Sequence, residues 1–261
     1  MSKNIRFFSI FILGFTLYYF FDFFCFKSIQ TFIKETSGSK ALAHTAAYSI
    51  TLIPLIITLK ILFPKKNTFS LFSLDKSILK GLFVAFIGTL PMLIGYFMYF
   101  KRVESVNFQS LFINTISSPF FEEVIFRAFL IGILFRFTGL GFISSILFGS
   151  LLFAQMHLYQ SSNPTELMEI FLITFLGSVF FSWVYFEMDF NLWPAIFLHV
   201  FMNLYWEIFN IAENVSGNLY GNIFKILSII LVITVVIYRK QKHKTPFQIT
   251  GKTLFIKTKP S

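Results

Sequence analysis

Ser117-Ser118-Pro119-Phe120-Phe121-Glu122-Glu123-Val124-Ile125-Phe126-Arg127 places two adjacent carboxylates and an arginine inside otherwise apolar sequence. A charge within a membrane span costs on the order of 3 kcal/mol unless it is paired or faces a polar cavity. Whether the flanking sequence is membrane therefore decides how these charges must be read. Of the 261 residues, 56% are hydrophobic, 13% are charged and 40 are Phe. A water-soluble domain could not hide that much apolar surface behind a polar exterior. The apolar runs are long and continuous, which indicates helices rather than the alternating strands of a barrel. The expected fold is all-α: a polytopic membrane helical bundle of about eight transmembrane helices, with an active site in a polar cavity within it.

Outward from the stretch, eight runs approach the ~20 residues a bilayer requires. They cover about 5–26, 42–63, 78–100, 108–137, 140–159, 167–186, 192–208 and 223–238. The third contains Pro91, a candidate kink. The fourth is too long for one straight span, and Ser117-Ser118-Pro119 is expected to divide it, with the proline near the start of the glutamate-bearing helix. The first run continues through Phe and Tyr with no small-residue cleavage site, so it is read as a retained span.

The net charge of +10 does not indicate a nucleic-acid partner. Lys and Arg lie in connections and in the tail, where they orient the chain and meet anionic lipid. Lys60, Lys65, Lys66, Lys76 and Lys80 mark one connection. Arg239, Lys240, Lys242, Lys244, Lys252, Lys257 and Lys259 mark the tail. With an even number of spans, both termini are expected in the cytoplasm of a cell that holds the protein in its inner or plasma membrane. Residues 1–238 are read as a single transmembrane domain. Residues 239–261 are read as a basic tail without structure, apart from a short ordered piece near 253–256. A single cysteine, Cys25, excludes an internal disulfide and any multi-cysteine metal site.

Few polar residues interrupt the spans. Asp22 and Glu169 are placed near span ends, within reach of solvent. Glu123 and Arg127 are four apart and share a helix face, so they can pair. Glu122 points about 100° away by the 3.6-residue period, which leaves it free for chemistry. The same cluster also reads as a charged lock between helices. His157 follows Phe153 at a span end, where a histidine is more often structural. His199 and Asn203, again four apart, can donate two hydrogen bonds to one oxygen, or can serve as an interhelical polar clamp. Glu207 continues that face and is left unassigned. Taken together, a carboxylate and a histidine can activate water, while a histidine and an amide stabilise the tetrahedral oxyanion. Glu122, His157 and His199 could instead hold zinc, the one cofactor these residues admit. Either arrangement hydrolyses an amide inside the membrane. An ion-coupled transporter is the remaining use of such residues, disfavoured by the lack of an inverted repeat.

Glu122-Glu123-Val-Ile-Phe-Arg127, Phe153-Ala-Gln-Met-His157 and His199-Val-Phe-Met-Asn203 together resemble the CAAX protease and bacteriocin-processing (Abi) family. Its members include prenyl-protein endopeptidases. The family pattern is Glu-Glu-x-x-x-Arg, Phe-x-x-x-His and His-x-x-x-Asn on separate membrane helices, and the likeness covers about 108–210. Ala128 stands where a glycine often follows the arginine. The resemblance implies an intramembrane endopeptidase acting on a membrane-associated peptide or protein. It also implies that Glu122 with His157 activates water, His199 with Asn203 forms the oxyanion site, and Glu123 with Arg127 supports the motif helix. A non-catalytic member acting in bacteriocin immunity or membrane regulation is the alternative. One geometric tension remains: His157 falls near one end of its span, while His199 and Asn203 lie about 11–17 Å in from the opposite end of theirs at 1.5 Å per residue.

Overall fold

The computed structural model describes residues 3–257; Lys259 lies outside them. The described residues form helices joined by short connections, with no strand among them and one isolated antiparallel bridge between Leu140 and Ile256. The all-α helical bundle expected from composition is the fold.

Among the described residues, five helices are long and apolar enough to cross a membrane: Asn4–Ser37, Lys40–Leu62, Phe142–Gln160, Pro164–Glu187 and Leu219–Lys242. A sixth span arises if the pair Ile78–Gly88 and Leu90–Tyr99, bent by 42°, counts as one. Pro91 sits in the first turn after that bend, as its missing N–H and its clash with the preceding turn require. The count of eight is not reached. The helix Trp193–Ile208 has only 16 residues, short of the ~20 of a straight span. The run 108–137 is continuous but changes helix type four times. These two segments carry most of the polar motif residues.

The helices are numbered in chain order. Helix α1 is Lys3–Ser37, and α2 (Lys40–Thr51) continues through a slight break into α3 (Ile53–Leu62). A single turn, α4, is Thr68–Leu71, and the bent pair is α5 (Ile78–Gly88) and α6 (Leu90–Tyr99). The motif run is α7 (Phe108–Phe112), a π-helical turn Ile113–Ser117, α8 (Ser118–Glu122), a second π-helical segment Glu123–Ile133, and α9 (Leu134–Phe137). Then follow α10 (Phe142–Gln155), α11 (Pro164–Glu187), α12 (Trp193–Ile208) and α13 (Leu219–Lys242).

The second π segment is the centre of the bundle, and every residue in it is buried. Helix α1 covers it from one side, with Phe11 stacked on Phe129 at 4.9 Å between ring centroids. Helix α10 covers another side, where Gly149 lets the Ile131 side chain approach closely. Within a bilayer such contacts associate helices by close packing and dispersion rather than by expulsion of water. Phe20, Phe23, Phe24 and Phe32 on α1 stay exposed, as a face against lipid chains would.

The tail departs from expectation. The ordered piece is present but extends well beyond 253–256. Lys240 at the end of α13 is fully buried and pairs with the equally buried Glu187 at the end of α11 (3.2 Å). Glu187 also accepts the backbone N–H groups of Gln248 (3.1 Å) and Ile249 (2.8 Å). Lys240 donates to the Pro246 carbonyl (2.8 Å). The tail backbone thus completes the solvation of a buried ion pair, which would otherwise be costly. Further on, Gly141 and Ile143 donate to the carbonyls of Phe255 (2.7 Å) and Leu254 (2.8 Å). A Cβ on Gly141 would lie 2.6 Å from the Phe255 backbone, so glycine is what permits this docking. Asp22 also departs from expectation. It lies well inside α1 rather than at its end, facing a cavity of about 160 Å³ together with Tyr18, Phe126 and Met156. Glu169, exposed near the start of α11, is where it was expected.

Replacing Glu187 with Gln leaves Lys240 with only the half-exposed Asp189 as a carboxylate partner (3.3 Å) and should destabilise the protein by about 1–3 kcal/mol. Thermal unfolding of the detergent-solubilised chain should show the loss, and trypsin should cut faster at the exposed Lys252. Unaltered cleavage at Lys252 would mean that the pair does not hold the tail.

Candidate active site

The site begins with a backbone defect. Within Ile113–Ser117 the helix adopts the i→i−5 register, with the Ser118 N–H bonding the Ile113 carbonyl. The next bond in that register would run from residue 119 to the Asn114 carbonyl, but Pro119 has no N–H. The Asn203 side chain supplies the missing donor: its Nδ2 donates to the Asn114 carbonyl at 2.9 Å. The Asn114 amide in turn donates to Glu207 Oε1 at 2.9 Å. From the other side, His44 and Thr45 of α2 bond the Ser117 hydroxyl at 3.0 and 3.2 Å. The sequence Ser-Ser-Pro does not cut the run into two helices. It widens the helix locally and leaves a carbonyl for α12 to satisfy. Such π turns cluster at functional sites.

One turn later come the glutamates. Glu123 is fully buried and pairs with Arg127, four residues on, at 3.2 Å. The same Glu123 oxygen meets His199 Nδ1 at 2.9 Å. The contact to Arg127 is ionic, off the alignment of a hydrogen bond. The guanidinium instead lies over the Phe153 ring at 4.1 Å, with the Phe181 ring 5.6 Å away. Cation–π contacts of this kind are worth about 2 kcal/mol once water is excluded. Glu122 remains partly exposed, and its Oε2 has no hydrogen-bond partner among the described residues. That oxygen lies 3.9 Å from His199 Nε2. His199 therefore faces both carboxylates, one with each ring nitrogen.

His157 closes α10. Its Nδ1 is 2.7 Å from the Phe153 carbonyl. A carbonyl only accepts, so this nitrogen carries the proton and Nε2 presents a lone pair. The His157 ring lies 4.5 Å from the Phe153 ring and within electrostatic reach of Glu122, Arg127 and His199. His157 and His199 thus lie within electrostatic reach of one another, despite the difference in depth expected from their positions along the spans. Phe153 has three jobs: it covers Arg127, orients His157 and packs on Phe126 (5.1 Å).

Of the residues singled out in the sequence, Glu122, Glu123, Arg127 and His199 come together in direct contact. His157 adjoins them. Asn203 is on the same face of α12 as His199, with one amide hydrogen committed to Asn114. Ala128 is fully buried, so the small side chain fits where glycine is common. Asn114 and His44 were missed. Asn114 was detectable in principle, since Pro119 must orphan a carbonyl about one turn upstream; His44 left no comparable signal. Zinc is not supported by the donor arrangement. Among the described residues no group of three His, Cys, Asp or Glu side chains has the geometry to hold a metal ion.

Residues 104–205 match the family model for Rce1-like type II CAAX prenyl endopeptidases. Over those residues the chain is similar to that family. The matched segment contains all three motifs and runs from just before α7 into α12. The likeness is confined to that segment, in a chain whose described residues include five helices long and apolar enough to cross a membrane. No curated protein and no solved structure matches the chain.

If Asn203 replaces the bond that Pro119 cannot make, Asn203→Ala should cost about 1 kcal/mol by removing the donor to the Asn114 carbonyl. Adding Pro119→Ala should recover part of that loss, because residue 119 can then donate to Asn114. Thermal unfolding of the two variants would check this. A purely additive double variant would remove Pro119 as the cause.

Proposed function

We propose that the protein is an intramembrane endopeptidase in which Glu122 and His157 activate a water molecule and His199 with Asn203 stabilises the oxyanion. The observation that carries this reading is the placement of His199, bonded to Glu123 at 2.9 Å and separated from Glu122 by 3.9 Å. That gap is too long for a direct hydrogen bond and suits one bridging water. With both ring nitrogens protonated, Nδ1–H donates to Glu123 and Nε2–H is left to donate on the Glu122 side.

In this reaction the water oxygen attacks the scissile carbonyl carbon while its proton passes to Glu122. His157 Nε2, whose lone pair is fixed by the Phe153 carbonyl, accepts a hydrogen bond from the same water. The carbonyl oxygen becomes an alkoxide, held by His199 Nε2–H and the second N–H of Asn203. Collapse breaks the carbon–nitrogen bond, and the proton held by Glu122 passes to the departing amine. Glu123 and Arg127 do not touch the substrate; they position His199 and the motif helix. No step passes through a metal.

The substrate on this reading is a peptide or protein held at the membrane, with a prenylated C-terminal segment the class suggested by the family description. The transmembrane unit up to residue 238 would house a catalytic core at about 108–210. The basic connections favour both termini in the cytoplasm of a plasma or inner membrane protein.

Purified protein reconstituted in lipid should cleave a membrane-anchored peptide, and Glu122→Gln should lower kcat by about 10²–10⁴-fold with unfolding temperature unchanged. Asn203→Asp keeps the side-chain length but reduces the amide donors, and should lower kcat by about 10²–10³-fold. Cleavage by Glu122→Gln at the parent rate would assign the base elsewhere.

A further inference from the structure

The ends of α3, the motif run, α11 and α13 gather at one end of the bundle, away from the catalytic residues. There the chain forms an open cavity of about 460 Å³ bordered by Lys66, Arg136 and Lys257 together with Ser70, Gln248 and Thr253. Three cations and no carboxylate line it. Among the described residues none of the three makes an ion pair. Asp75 touches the lining only by accepting the Ser70 hydroxyl (2.6 Å).

Each cation is held in place by neutral groups. Arg136 donates to the carbonyls of Leu71 (2.8 Å) and Ser70 (3.1 Å) and to the Ser73 hydroxyl (2.7 Å). Lys66 lies over the Phe137 ring at 4.3 Å. Lys257 donates to the Phe135 carbonyl and lies over that residue's ring at 4.7 Å. Neutral acceptors orient a charge without cancelling it, so the positive potential of all three converges on the cavity. Burial lowers the pKa of Lys257, the response of an ammonium with no counter-charge. Holding this arrangement costs free energy that an anion would recover.

We propose that this cavity binds a phosphate group, supplied by the headgroup of an anionic phospholipid. Its location argues for lipid over a soluble phosphate. Lys66 follows the span ending at Leu62, and Phe190 in the cavity wall follows the span ending at Glu187. The cavity therefore lies at headgroup level, and basic pockets between helices on the positively flanked face select anionic headgroups. The guanidinium fork of Arg136 can bond two phosphate oxygens, and the lysines act as point charges. Because the docked tail contributes Gln248, Thr253 and Lys257, a bound headgroup would also tie the tail to the bundle.

The test is a thermal unfolding titration of the full chain in dodecylmaltoside. The probes are phosphatidylglycerol, phosphatidylcholine, glycerol 3-phosphate and inorganic phosphate. Phosphatidylglycerol should raise the unfolding temperature saturably, and phosphatidylcholine should not. Lys66→Gln, at an exposed position, should weaken half-saturation about fivefold, and Lys66→Gln with Lys257→Gln more so, since each surface cation contributes about that factor. Native mass spectrometry of the same variants, counting retained phosphatidylglycerol, gives a reading independent of stability. An equal response to phosphatidylglycerol in parent and Lys66→Gln, by both readings, would overturn the proposal. A saturable shift with inorganic phosphate or glycerol 3-phosphate that Lys66→Gln weakens would keep the phosphate site and reassign its source from lipid to a soluble ligand. Equal shifts with phosphatidylcholine and phosphatidylglycerol would also overturn it.

Discussion

A carboxylate without solvent exposure at the centre of a membrane bundle constrains everything near it. Glu123 cannot keep its charge there without counter-charges held in fixed geometry. Arg127 supplies one from the next turn and His199 supplies a hydrogen bond from α12. Arg127 is itself fully buried and is covered by Phe153 of α10 and Phe181 of α11. One charge therefore fixes the relative positions of the motif helix, α10, α11 and α12. The adjacent Glu122 inherits that rigidity while keeping an oxygen without a partner. Pre-organisation of this kind is what a catalytic carboxylate needs, because its surroundings need not rearrange as charge develops.

The backbone supplies the complementary constraint. An α-helix in lipid must satisfy its own carbonyls, and Pro119 prevents that at one position. The helix responds by widening, and α12 responds by lending Asn203. The asparagine is thus held by a main-chain need, leaving its second N–H oriented with His199 one turn earlier. The contact between α12 and the motif helix here follows from repairing a local defect in hydrogen bonding.

The parts of this arrangement differ in how far the sequence revealed them. Apolar run length located the spans at Lys40–Leu62 and Pro164–Glu187 closely, because length and hydropathy are local properties. The pairing of Glu123 with Arg127 was also local, following from a four-residue spacing. The failure at 108–137 has a different origin. Pro119 is expected to divide the run because proline favours the first turn of a new helix, whereas here the helix continues through it and α12 replaces the lost bond. The tail misled for a related reason. Its polar composition reads as disorder, yet its order depends on Glu187 and Lys240, which lie far from it in sequence and whose burial no local pattern shows. Phe153 was visible as a motif position, but its contact with Arg127 emerges only when α10 packs on the motif helix.

Arg127 and Arg136 lie on the same helical path and show two ways of keeping a cation in this environment. Arg127 is sealed among rings with a carboxylate beside it, so its charge is largely spent within the protein and can only support structure. Arg136, half-buried at the end of the path, is oriented by carbonyls and hydroxyls that leave its net charge intact. Lys66 and Lys257 add to that charge rather than cancel it. The same distinction separates Glu123 from Glu122: one is fully buried and paired, and the other keeps an oxygen without a hydrogen-bond partner among the described residues.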